Sequence, residues 1–227
     1  MKIIFLLALV LNACTKEYGN TPGVVLSFDD YYPSTWEQHL DLFDKYNAKA
    51  TFFVLGGSVT QFMLNAQKRG HEIGYHTITH PDLTKLSREQ FLEETVLPIN
   101  VFKESGIELT SFAYPYGKYE SWMHEELLKH YKIVRGVYGL KPYSIDDMKT
   151  GFLESASIDK IMYKSEISFQ DIVSYVLGLA REDRKIIILT CHSISDNDLG
   201  ITPERLEYVL KKAKEYGLPF YLCKDFQ

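Results

Sequence analysis

The chain has 227 residues, 45% of them apolar and 24% charged, with a formal net charge of -5. That length suits one domain with a sizeable core, and the balance excludes a disordered or fibrous chain. With its charges interspersed and net negative, the chain is not expected to bind nucleic acid.

The first element in chain order is a leader. Met1-Lys2 supplies a positive start and Ile3 to Leu11 is an unbroken apolar run, suited to a signal peptide and far short of the roughly 20 residues that span a bilayer. The run closes on Leu11-Asn12-Ala13-Cys14, which resembles a bacterial lipobox. Residues 1–13 therefore read as a lipoprotein signal peptide, Cys14 as its lipidated cysteine and 14–22 as a polar tether; an ordinary secretory peptide with an incidental Cys14 is the alternative. The expectation is an exported lipoprotein of the outer membrane or the cell surface and periplasm, attached through Cys14.

Residues 23–227 alternate short β-type runs with amphipathic stretches. Strands are predicted at 24–28, 50–54, 72–75, 110–113, 133–136, 185–189 and 219–222. Helix starts are signalled by Ser87-Arg88-Glu89-Gln90, by Ser168-Phe169-Gln170-Asp171 and by Thr202-Pro203, and Gly217 marks a helix end. Alternating β and α elements predict an α/β domain with a parallel sheet or barrel and helices outside. About seven units fit, and 138–167, the least periodic stretch, reads as a long loop. Cys191 and Cys223 fall in apolar runs near the C-terminus and read as buried free thiols, with a disulfide as the alternative.

In such folds chemistry gathers where strands end. Asp29-Asp30 follow the first strand, His76 the third and His192 the sixth, so two carboxylates and three imidazoles collect on one rim. Neighbouring side chains on extended backbone point apart, so one carboxylate can hold a metal while the other faces its bound water; a plain solvated turn is the alternative. His76 and His80, four residues apart, read as two imidazoles on one side of a helical turn, able to share that metal. One carboxylate and two imidazoles leave a position open for water, as in a catalytic zinc-type site. His192 reads either as a satisfied core histidine or as a general acid. His39, His71, His124 and His130 have no such placement.

Four motifs in order, Val25-Leu26-Ser27-Phe28-Asp29-Asp30, Ala50-Thr51-Phe52-Phe53-Val54, Gly70-His71-Glu72-Ile73-Gly74-Tyr75-His76-Thr77-Ile78-Thr79-His80-Pro81 and Phe112-Ala113-Tyr114-Pro115-Tyr116-Gly117, together with His192, resemble the polysaccharide deacetylases, carbohydrate esterase family 4. The resemblance implies a distorted (β/α)7 barrel. It implies Asp29 as catalytic base, His192 as general acid, the backbone N–H of Tyr116 at the oxyanion, and Asp30, His76 and His80 as ligands of a divalent metal, zinc first, with cobalt or nickel as alternatives. Tyr31, Tyr114, Pro115 and Thr190 are expected to touch substrate. The expected activity is hydrolysis of N-acetyl groups on an acetylated glycan outside the cytoplasm, with no protein partner. An O-acetyl esterase and a glycan-binding lipoprotein without turnover are the alternatives.

Three departures stand out. Tyr31 replaces the usual Gly and makes the mouth more aromatic. Ala113 stands where many members have an Arg that pairs with the base; this resembles the poly-N-acetylglucosamine deacetylases, leaves Asp29 without a cation and predicts a higher acid limb of the pH–rate profile. The Asp-Trp that orients the acid is not recognisable, and Asp159, then Asp146 and Asp147, are the candidates to replace it.

Overall fold

The computed structural model describes residues 21–226, so the leader, Cys14 and the tether up to residue 20 lie outside the described residues. Eight short strands build the main sheet: β1 Gly23–Phe28, β2 Thr51–Val54, β3 Glu72–Tyr75, β4 Ser111–Ala113, β5 Ile133–Gly136, β6 Phe152–Glu154, β7 Ala156–Ser157 and β8 Ile186–Cys191. Their order is β6-β5-β4-β3-β2-β1-β8-β7, every neighbouring pair parallel. The two ends of that order are one stretch of chain. Residues 152–154 pair with β5 and residues 156–157 pair with β8, so a single extended segment joins the sheet's edges and leaves a seven-walled barrel. β9 (Ser193–Ile194) and β10 (Gly200–Ile201) form a small separate sheet.

The predicted number of walls holds, but its membership changes. The run at 219–222 becomes β11 (Phe220–Tyr221), which pairs with β1 only at Val24 and Val25 while β2 takes Ser27 and Phe28. The seventh wall comes instead from within 138–167, which the sequence pattern leaves as loop.

Helices cover the outside: α1 Pro33–Glu37, α2 Leu40–Lys45, α3 Gln61–Lys68, α4 Arg88–Thr95, α5 Pro98–Glu104, α6 Ser121–Leu127, α7 Ile145–Met148, α8 Glu166–Glu182 and α9 Pro203–Glu215. In α9 the apolar positions Leu206, Val209, Leu210 and Ala213 recur at helical spacing and are buried. Thr202 accepts from Arg205 N–H with Pro203 in the first turn, and Gly217 follows with φ of 70°, as the start and stop signals predict. Ser87 and Gln90 form the expected capping box. The start signal at Ser168 is displaced: Ser165 caps α8 and accepts from the Ser168 N–H, because Glu166 and Ile167 already continue the helix.

Period-2 alternation decides what faces where. Val24, Leu26 and Phe28 join the layer between sheet and helices, with Trp36, Phe43, Phe52 and Phe62. Val25, Phe53, Ala113, Ile133, Leu153, Ile186 and Ile188 form a second cluster drawn almost wholly from strands, the barrel interior. Counting on in twos from these inward residues reaches Asp29, Arg135, Ser155, Ser157, Asp159, Thr190 and His192. The last inward position of several walls is therefore polar, at the end where the strands finish. Cys191 and Cys223 are buried and unpaired, as expected.

Candidate active site

Asp29 is buried and does have a cation beside it, contrary to the expectation raised by Ala113. Arg135, fully buried on β5, donates from Nη2 to both Asp29 oxygens at 2.6 and 2.5 Å. Its Nη1 donates to Gly136 O at 3.1 Å and Ser155 Oγ at 2.9 Å, and the guanidinium lies 4.9 Å from the centre of the Phe53 ring. That ring occupies space left by Gly74, where a Cβ would come within 2.5 Å of it. The cation is displaced by one strand, so the reason for expecting a higher acid limb is gone. The sequence did carry a signal: an arginine in the inward register of an apolar strand is rarely buried unless paired.

Asp30, His76 and His80 converge. His80 Nε2 lies 3.1 Å and His76 Nε2 3.4 Å from Asp30 Oδ1, and the three ligand atoms are all within 4.8 Å of one another. His76 Nδ1 is 2.7 Å from Ala113 O; a carbonyl only accepts, so Nδ1 carries the proton and a neutral ring presents a lone pair from Nε2. Asp30 Oδ1 is buried and accepts no hydrogen bond. Lone pairs aimed at one another repel unless a cation stands among them. Ligand edges of about 3.4 Å are those of a tetrahedron with metal–ligand bonds of about 2.0–2.1 Å. The donor set therefore fits a zinc-type divalent metal. Burial works to raise the Asp30 carboxyl; with the metal absent and the imidazoles protonated, His76 and His80 outweigh it and hold it well below the ordinary carboxylate range.

The stretch 76–80 is not the expected helical turn. Thr77 and His80 have φ of 78° and 61°, and Asp30 and Tyr116 join them at 70° and 58°. Four non-glycine residues in left-handed backbone at one site mark stored strain. The loop is held by Glu94 of α4, whose carboxylate accepts from the N–H of Ile78 and Thr79, both at 2.9 Å, and from the Thr79 hydroxyl at 2.7 Å. Thr77 Oγ1 accepts from His80 N–H at 3.0 Å. Nothing in the sequence pattern marks Glu94.

His192 is oriented by Asp159, the first of the three candidate aspartates. Its Nδ1–H donates to Asp159 Oδ2 at 2.8 Å and its backbone N–H to Oδ1 at 3.1 Å. Burial pulls the imidazole down, but the Asp159 hydrogen bond and charge, with Asp29 and Asp30, outweigh it and raise it to about 9. Trp36 Nε1 donates to His192 O at 2.7 Å and fixes the strand end. Asp147 instead caps α7 through Ser144, and Asp146 pairs with Lys149.

These groups form the floor of one cavity of about 450 Å³, whose lining also includes Tyr114, Tyr116 and Thr190. Thr190 Oγ1 is buried without a hydrogen-bond partner. Tyr31 lies outside this lining: its hydroxyl donates to Thr60 at 2.7 Å and its ring packs edge-on against Trp36. Pro115 is buried outside it as well, opening the short turn Pro115–Gly117. His71 sits against Phe43 and Phe52, and His124 contacts Tyr114 and Phe152, so both are structural.

A family model described as polysaccharide deacetylase matches residues 16–132, just over half of the chain. A bifunctional xylanase/deacetylase of Pseudobutyrivibrio xylanivorans is 32% identical over 132 residues, covering 52% of this chain and 22% of that protein. The peptidoglycan-N-acetylmuramic acid deacetylase PdaC of Bacillus subtilis is 30% identical over 148 residues, covering 63% of this chain and 30% of that protein. The chain thus spans less than a third of either relative. Among solved structures, peptidoglycan deacetylase PdaC from Bacillus subtilis superposes with a TM-score of 0.67 at 23% identity, over 91% of this chain and 90% of that one. The chitin deacetylase of Colletotrichum lindemuthianum gives 0.68 at 16% identity, over 91% and 88%. At these identities the two structures establish the shared fold, and the matched segment carries Asp29, Asp30, His76 and His80 together: the chain belongs to the polysaccharide deacetylase family.

Proposed function

We propose that this protein hydrolyses N-acetyl groups from a glycan outside the cytoplasm. The observation that carries the reading is the meeting, in one cavity, of a carboxylate backed by an arginine, a three-ligand metal set and an imidazole backed by a carboxylate. Asp30, His76 and His80 hold the divalent metal, zinc in the first instance, which when bound supplies a Lewis acid for water and for the acyl oxygen. Asp29, steadied by Arg135, takes the proton of the attacking water on its free lone pairs. The Tyr116 N–H, at the cavity edge, is directed to the acyl oxygen as negative charge develops there. His192, kept protonated by Asp159, gives its proton to the departing nitrogen.

That last step favours amide over ester hydrolysis, because an amine leaves only once protonated, whereas an alkoxide makes a weaker demand. The reasons for a binding-only protein, a missing arginine and a missing acid partner, fall away with Arg135 and Asp159. Relatives named as peptidoglycan deacetylases support a glycan substrate. Export and attachment through a lipidated Cys14 belong to the proposal; no helix among the described residues is long and apolar enough to cross a membrane. The test is acetate release from a panel of N- and O-acetylated glycans, with metal-stripped protein and after reloading with zinc, cobalt or nickel. Metal-dependent release from an N-acetylated glycan is expected. Release that ignores metal, or only from O-acetyl esters, contradicts the proposal.

A further inference from the structure

The cavity's floor accounts for its chemistry, and its walls are of another character. Twelve large apolar side chains are exposed among the described residues, and six of them, Tyr116, Tyr138, Leu140, Ile161, Met162 and Leu199, line this one cavity. Exposed apolar residues scattered singly are ordinary; gathered around one opening they mark a binding surface. The ionisable carboxylates and imidazoles of the lining are Asp29, Asp30, His76, His80, Asp159 and His192, all on the floor, and no lysine or arginine lines the cavity. Three of the four tyrosine hydroxyls of the lining are already engaged: Tyr116 donates to His80 O at 3.3 Å, Tyr138 donates to Tyr116 O at 3.1 Å, and Tyr114 bonds His124 at 3.0 Å, which leaves Tyr163.

The C–H faces of a bare oligosaccharide can lie on Tyr116 and Tyr138, but its hydroxyls are badly served beside Leu140, Ile161, Met162 and Leu199. Each sugar ring brings several hydroxyls, and a hydroxyl taken from water without a partner costs free energy. An uncharged hydrocarbon suits them. Because the walls are continuous with the floor, the apolar group and the scissile amide belong to one molecule. We propose that the substrate is amphipathic, an N-acylated sugar bearing an alkyl or lipid chain, with the amide on the floor and the chain along Leu140, Ile161, Met162 and Leu199. The proposal rests on the deacetylase reading for what the floor does to the amide.

The test compares the octyl and methyl β-glycosides of N-acetylglucosamine with the full, metal-loaded protein, below the detergent's micelle concentration. Each methylene moved from water onto an apolar wall is worth roughly fourfold, so three buried methylenes raise kcat/KM by about 50-fold for the octyl glycoside. In the Leu140→Ser/Met162→Ser variant the octyl-to-methyl ratio falls toward one. Equal kcat/KM for the two glycosides in the unaltered protein overturns the proposal. Binding of octyl glucoside, which has no amide, to metal-free protein is read in parallel by calorimetry. If neither glycoside releases acetate, the deacetylase reading fails by itself. Octyl glucoside binding that the double variant abolishes then supports the apolar subsite, and absence of binding overturns it.

Discussion

Asp159 and Arg135 sit behind the two groups proposed to carry protons, and each can be removed without touching the proposed metal ligands. As the proposed acid His192 acts in its protonated form, and its raised value keeps it protonated up to about pH 9. Asparagine at position 159 still accepts a hydrogen bond but brings no charge, leaving burial, opposed only by the charges of Asp29 and Asp30, to pull the imidazole down. The alkaline limb of acetate release against pH is therefore expected to move to lower pH in Asp159→Asn, with turnover at neutral pH falling by about 10²-fold. An unmoved limb would separate Asp159 from the acid. Arg135→Met leaves the Asp29 carboxylate buried without its cation, which costs about 3–5 kcal/mol of stability and lowers turnover while metal content stays full. Adding Asp29→Asn recovers part of that stability in a double-mutant cycle followed by urea unfolding; simple additivity would contradict the pairing. Both partners follow from strand alternation, Asp159 from the inward count through Ser155 and Ser157, Arg135 from its place between inward Ile133 and the strand end. Reading Ala113 by motif position alone hides Arg135, since the barrel lets a neighbouring wall deliver the same charge.

At the scale of elements, the decisive piece is the loop 76–80. Its spacing of two histidines is legible, its conformation is not: the same four-residue interval fits a helical turn and a strained loop, and the choice is made by Glu94 of α4, 15 and 16 residues along the chain from the Thr79 and Ile78 it binds. Glu94→Ala removes the acceptor for two backbone N–H groups and a hydroxyl, freeing Thr77 and His80 to relax out of left-handed backbone. Zinc affinity is expected to fall by about 10–100-fold, measured by competition with a chromophoric chelator, and an unchanged affinity would show that the loop holds its shape without that carboxylate. The helix signals fared according to their chemistry. Ser87 and Thr202 stand in extended backbone directly before a helix, so their hydroxyls cap. Ser168 has helix-compatible residues before it, and Ser165 takes the cap instead.

For the molecule as a whole, six of the seven walls are legible from alternating β and α runs, whereas the closing wall at 152–157 is not, because it is short, interrupted at Ser155 and shared between two neighbours. The far end of the barrel is tied by a group that composition cannot reveal. Buried Glu72 accepts from Thr51 Oγ1 at 2.8 Å, Ser111 Oγ at 2.6 Å, Thr110 Oγ1 at 3.1 Å and Lys224 N–H at 3.0 Å, joining β2, β3 and the start of β4 to the C-terminal segment. Glu72→Gln turns an amide NH₂ toward donors and is expected to cost about 2–3 kcal/mol by urea unfolding, with a loss near zero contradicting the network. All of these parts serve one division of labour between neighbouring carboxylates, and the most direct test of it is the metal content and acetate release of Asp29→Asn beside Asp30→Asn. Asp29→Asn is expected to keep its full complement of metal by elemental analysis and to lose about 10²–10⁴-fold in turnover, while Asp30→Asn loses the metal and regains part of its rate in excess zinc; metal lost from Asp29→Asn and retained by Asp30→Asn would contradict the assignment.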